Sequence, residues 1–141
     1  MEIVTLCGLL GVCAWEDWKT KKIRLELAAG MALMGMLLHL LRFRISLLNI
    51  LGGVAIGAIL YGISILSKEQ IGKGDALVFM GTGVFLGWWS NLMLLWTSLL
   101  LAGIYGSVYS IVCKKTKETC LPFLPFVFVS LVILALAGGL A

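Results

Sequence analysis

Uncharged stretches dominate this chain, and their lengths set the elements it predicts. Residues 45–67 and 119–141 each run 23 positions without a charge, and 76–113 runs 38. A bilayer-crossing helix needs about 20 apolar residues. The first two stretches therefore read as single spans, and the third as two spans folded back at "WWSN" (88–91). Two shorter apolar segments precede them: about 2–18, ending in "CAWEDW", and about 25–41, with Glu26 at its start and His39 near its end. The pattern predicts an all-α, polytopic membrane protein of about six transmembrane helices. The first segment reads as a retained helix, because "MEIV" has no basic region and no small-residue cleavage site follows it.

Composition agrees with the pattern. With 61% hydrophobic and 13% charged residues in 141 positions, the chain has more apolar surface than a small water-soluble core can hide. The charged segments between apolar runs are too short for a soluble domain, so residues 1–141 read as one transmembrane domain with the lipid bilayer as partner. Nine of the eleven Lys/Arg residues fall in three alternate loops, at 16–26, 68–75 and 114–118; only Arg42 and Arg44 lie opposite. Basic loops stay cytoplasmic, which puts both termini outside in a plasma-membrane protein. Trp15 and Trp18 at one boundary and Trp88 and Trp89 at the other fit interfacial belts.

That orientation gathers the acids. Glu16, Asp17, Glu26, Glu69, Asp75 and Glu118 all fall on the cytoplasmic side, leaving Glu2 alone outside. The chain has two aspartates. Asp17 ends the first predicted helix and Asp75 opens the fourth, so topology returns them to one membrane face at similar depth. Carboxylates at the edge of hydrocarbon are costly unless paired or hydrated, and so are candidates for function. Each also has a plainer reading as a solvated charge, Asp17 four residues before Lys21 and Asp75 two after Lys73. Gly72-Lys73-Gly74-Asp75 favours the functional one: glycines at 72 and 74 let another backbone approach the carboxylate. Two close carboxylates share one proton, the ionised member drawing a proton from water while the protonated one polarises a carbonyl. Such a pair hydrolyses a peptide bond without metal, cofactor or nucleophilic side chain, and titrates as a unit, so neither role is assigned here to one residue.

Three motifs carry a family resemblance. "EDWKTKKI" (16–23) resembles the aspartate-plus-basic motif of type IV prepilin peptidases. "GKGDALVFMGTGVFLGW" (72–88) resembles their GxGD motif and glycine-rich helix, and "LPFLPF" (121–126) their proline-phenylalanine motif. The resemblance implies a polytopic aspartic peptidase that removes the short leader of prepilins and pseudopilins on the cytoplasmic side, with Asp17 and Asp75 catalytic. It further implies substrates with a glycine before the cut and a hydrophobic helix after it, approached by Gly72, Gly74, Pro122 and Pro125. The chain departs from the family in reading Ile23-Arg24-Leu25 where isoleucine-proline-asparagine is frequent, and in lacking the CxxC pairs of larger members. Peptidase activity without methyl transfer is expected, as in the short forms of tight-adherence pilus and archaeal preflagellin systems.

Other conspicuous residues read as structure. Cys7, Cys13, Cys113 and Cys120 lack metal-ligand spacing, and no metal, cofactor or nucleic acid is expected. His39 lies near the outer side, away from the aspartates. Glu16 is about 100° around a helix from Asp17 and reads as a partner for Lys19. Gly53-xxx-Gly57 and Gly83-xxx-Gly87 read as close helix contacts. Pro122 and Pro125 either start the sixth helix or, by the resemblance, keep backbone groups free beside the aspartates. A small transporter, or a non-catalytic membrane scaffold, is the competing reading of the whole; the first would place its acids mid-span along a hydrated path, the second would not need the aspartates.

Overall fold

A computed structural model describes residues 2–20, 25–42, 46–66, 72–113 and 122–139. Every regular element among them is a helix: α1 (Glu2–Thr20), α2 (Leu25–Arg42), α3 (Leu47–Leu66), α4 (Lys73–Cys113) and α5 (Leu124–Leu136). Two of these, Leu47–Leu66 and Lys73–Cys113, are long and apolar enough to cross a membrane; Glu26–Leu38 and Leu124–Leu136 are shorter apolar stretches.

α4 is not one rod. Gly87 has φ 73° and ψ −177°, a conformation open to glycine and to almost nothing else. The two arms, 73–86 and 88–113, fold back on each other, as the side chain of Asn91 shows. Its Nδ2 donates to the Phe79 carbonyl at 3.1 Å, although twelve residues of continuous helix would separate those positions by about 18 Å. The same Nδ2 donates to the Gly53 carbonyl on α3 at 3.1 Å, and Asn91 Oδ1 accepts from Thr82 Oγ1 at 2.7 Å. All of the amide's hydrogen-bonding groups are engaged in a residue with no solvent exposure. The fold-back expected at "WWSN" therefore falls one residue earlier, where only glycine can supply a positive φ. Trp88 to Asn91 open the second arm instead.

The arm 73–86 is the axle of the bundle. Ala76, Val78, Phe79, Gly81, Thr82, Gly83, Val84 and Phe85 are all buried. α2 crosses it at Gly81, which faces Met31 and Ala28, and at Phe85, whose ring lies over Gly35. α3 crosses at Gly53, set against the backbone of Gly83, and at Gly57, set against Met80; a methyl group at Gly35, Gly53, Gly57 or Gly83 would run into its neighbour. Gly53, Gly57 and Gly83 thus act as the close helix contacts that their spacing implies, whereas Gly87 serves the break. α1 packs a stripe of Leu6, Leu10, Cys13 and Ala14 into the core, a helical repeat of three and four. The Cys13 thiol meets Met31 Sδ at 3.6 Å.

α5 is shorter than the 23-residue span expected over 119–141. It begins at Leu124, with Pro125 in its first turn. It ends where Gly138 takes φ 72° and the Gly139 N–H returns to the Leu134 carbonyl at 2.9 Å, a glycine-terminated C-cap. The basic clusters at 21–24 and 114–118, Lys68, Cys120 and the side chain of His39 lie outside the described residues.

Candidate active site at three helix ends

Asp17 continues the buried stripe of α1. Counting from Leu6 through Leu10, Cys13 and Ala14, the next inward position is 17, so helix geometry turns this carboxylate into the protein while Trp15 and Trp18 on either side face out. Asp17 is only 6% exposed, which demands partners for its oxygens. The start of α5 provides them. The Leu124 N–H donates to Asp17 Oδ2 at 3.2 Å, and the Phe123 N–H is a second, adjacent donor.

The first turn of α5 accounts for this bond. A helix start leaves its first N–H groups without intrahelical acceptors. Here Phe126 and Val127 N–H both turn back to the Phe123 carbonyl, at 3.0 and 3.3 Å. Pro125 has no N–H to satisfy. Leu124 remains, and its acceptor is a side chain 107 residues away. Pro122 and Pro125 flank the two donors, so the structure places both prolines beside Asp17.

Asp75 lies in the first turn of α4, half-buried. Its N–H donates to the Gly72 carbonyl at 3.0 Å, and its carboxyl curls back over Gly72, where an added Cβ would stand 2.9 Å from Oδ2. Gly72 is thereby in direct contact with the aspartate's carboxyl, and Gly74 stands between Lys73 and Asp75 in the same turn. One turn further on, the Phe79 ring packs on Phe123 with centroids 6.3 Å apart. Phe123 therefore touches α4 through its ring and Asp17 through its N–H. The two aspartates stand close enough for the charge on Asp17 to act on Asp75. All six residues singled out from the sequence, Asp17, Gly72, Gly74, Asp75, Pro122 and Pro125, fall at this one junction of helix ends.

Sequence reasoning did not find Phe123 and Leu124, because they contribute backbone groups that no side-chain pattern encodes; the flanking prolines were the available signal. Beside Asp17, Glu16 Oε2 is buried and has no hydrogen-bond partner among the described residues.

The fold and this junction define an all-α protein of apolar helices with two carboxylates at one end of its bundle. Residues 4–107 match the type IV leader peptidase family, and the chain belongs to that family. A stretch of 63 residues is 33% identical to a Legionella pneumophila protein named prepilin leader peptidase/N-methyltransferase, covering 45% of this chain and 22% of that protein. The match thus spans about a fifth of the relative's length. No solved structure matches the chain.

Proposed function

We propose that this protein is an aspartic endopeptidase that removes the short cytoplasmic leader from prepilin, pseudopilin or preflagellin-like substrates, with Asp17 and Asp75 as the catalytic pair. The observation that carries the reading is the meeting of the only two aspartates, from helices 58 residues apart in sequence, at one buried helix-end junction. Family membership makes the chain a peptidase relative; the paired carboxylates are the chemistry it has for the task.

The reaction consumes one water. The ionised aspartate takes a proton from that water as its oxygen attacks the scissile carbonyl carbon, and the protonated aspartate supplies a hydrogen bond and proton to the carbonyl oxygen. Collapse of the tetrahedral species breaks the C–N bond, the leaving amine takes a proton, and a new carboxyl end forms on the leader. A helical peptide bond is shielded, so the substrate must be extended at the cut. Gly72 and Gly74 leave room for that strand beside Asp75, and Pro122 and Pro125 border it on the other side.

The proposed setting is a plasma membrane crossed six times, with α1, α2, α3, the two arms of α4 and a last segment containing α5 as the crossings. Asp17 and Asp75 then face the cytoplasm. Methyl transfer is assigned to no residue of this chain.

Co-expression with a tagged prepilin, read as a mobility shift, tests the proposal. Asp17→Asn and Asp75→Asn should each lower cleavage on the order of 10³-fold at unchanged protein level. Replacing the substrate's glycine before the cut with a bulky residue should block cleavage of an otherwise processed prepilin. Wild-type processing by either aspartate variant would remove the pair from catalysis.

A further inference from the structure

We infer that the two aspartates are not interchangeable: Asp17 is the ionised member of the pair, the one that takes the proton from water, and Asp75 carries the shared proton. The inference rests on the aspartic-peptidase reading of the site, and goes beyond it by assigning each role to a residue.

The basis is an asymmetry in what surrounds the two carboxyl groups. Asp17 receives the Leu124 N–H at 3.2 Å on Oδ2, with the Phe123 N–H beside it. An N–H donor binds a carboxylate oxygen more strongly than the carbonyl oxygen of a neutral carboxyl group, so adjacent N–H donors favour the carboxylate. They sit at the N-terminus of the 13-residue α5, where aligned peptide dipoles add further attraction for negative charge. Asp17 is 6% exposed, so solvent competes little for these donors.

Asp75 has a weaker claim on the charge. It stands in the first turn of α4, whose dipole also favours an anion, but a dipole acting along a turn is weaker than direct N–H bonds. Among the described residues, the charged side chains carried by these helix ends do not reverse this order. α1 brings Glu16 and Lys19, α4 brings Lys73, α2 brings Glu26 in its first turn, and α5 brings no charged side chain at either end. With Asp17 ionised, a second negative charge beside it is opposed, and the shared proton rests on Asp75. Asp75 then faces the scissile carbonyl as the donor, next to the glycines that admit the substrate, while Asp17 is fixed by α5 with one oxygen tied and the other left for water.

The sequence supplies a clean probe, because these are its only two aspartates. Protein made in micelles by cell-free synthesis, with aspartate labelled with 13C and 15N and every other amino acid supplied unlabelled under transaminase inhibition, gives two side-chain carboxyl signals. Asp17→Glu and Asp75→Glu each remove one. If either variant fails to fold, glycine labelled at its carbonyl carbon identifies Asp75 in the unmodified protein, since Gly74-Asp75 is the sole Gly-Asp pair. At neutral pH the Asp17 signal should stand at the position of a carboxylate and the Asp75 signal at that of a carboxylic acid. The reverse order, or two signals in the same state, would overturn the assignment. No substrate is needed, so the two readings fail separately: the expected signals with no prepilin cleaved would leave the proton where we place it and remove the peptidase reading.

Discussion

Gly87 and Asn91 do opposite kinds of work at the same turn. Gly87 contributes only its freedom to adopt φ 73°, and Asn91 contributes bonds, closing the turn onto Phe79, Thr82 and Gly53. Alanine at 87 would be strained by about 1–3 kcal/mol whatever the space around it. Leucine at 91 would strip buried partners whose bonds inside membrane proteins average about 0.6 kcal/mol each. Gly87→Ala and Asn91→Leu should therefore each lower unfolding stability in micelles by roughly 1–3 kcal/mol. The double variant should lose less than the sum, because both residues hold one turn. Unchanged stability in both would mean that the fold-back is held elsewhere. At this scale the sequence was legible where a residue type is out of place in hydrocarbon: Asp17 and Asp75 stood out for that reason. Asn91 was hidden by its neighbours, since "WWSN" reads as a turn, and the polar residue inside the arm passed as part of the loop before it.

Among the elements, the arm 73–86 explains how a change far from the aspartates reaches them. It carries Asp75 in its first turn and is wedged between α2 and α3 by contacts that leave no room for a side chain, Gly83 on Gly53 and Gly35 under the Phe85 ring. Gly83→Leu would push α3 away from the arm and shift its first turn relative to α5. Gly62→Leu, on the same α3 but with open space where its side chain would grow, should be tolerated. The expected result is loss of prepilin cleavage and a lower melting temperature for the first, and near wild-type behaviour for the second, since leucine is the better helix former. Equal loss in both would show that the glycines act through backbone flexibility rather than contact. Helix identity and order were readable from uncharged run lengths, and the facing glycines from their spacing. Helix ends were not. Uncharged residues continue through 119–141 without interruption, so nothing in the charge pattern marks the ends of α5; proline in the first turn and glycine at 138 mark its start and end through backbone chemistry instead.

Across the whole molecule, the outward face is apolar. All five tryptophans are exposed, Trp15 at 75% and Trp18 at 69%, together with valines on α1 and leucines or isoleucines on every other helix. Water would penalise such a surface, whereas lipid and its interfaces accept it. The tryptophans also give the bundle a scale. Trp15 and Trp18 flank Asp17, and Trp88 and Trp89 follow Gly87 at the far end of the arm that Asp75 opens. From Asp75 to Gly87 is twelve residues, about 18 Å along a helix, against a hydrocarbon thickness of about 30 Å. In the proposed topology, Trp88 and Trp89 would mark the outer interface, and Trp15 and Trp18 would set the carboxyl pair near the opposite one.

This geometry requires a particular sidedness, and that can be measured without any substrate. Lys19 and Lys73 accompany the two aspartates at the same end of the bundle, and the basic clusters at 21–24 and 114–118 adjoin the same helix ends in sequence. Basic residues are retained on the cytoplasmic side during insertion, so the end that carries Asp17 and Asp75 should be the cytoplasmic one. The turn at Gly87 and the loop holding Arg42 and Arg44 should face outward. A reporter inserted after residue 117 should register cytoplasm, one inserted at Trp89 should register the outside, and one fused after Ala141 should agree with Trp89. The last of these bears on α5, whose 13 residues are about 20 Å long and cross the bilayer only if flanking residues extend the crossing. A cytoplasmic signal at Ala141 would make α5 a re-entrant segment that enters and leaves on one face. Its N-terminus would still reach Asp17, so the carboxyl junction survives that outcome. It would not survive a reporter at Trp89 facing the cytoplasm, because Asp75 would then open toward the outside, where no leader retained in the cytoplasm could meet it.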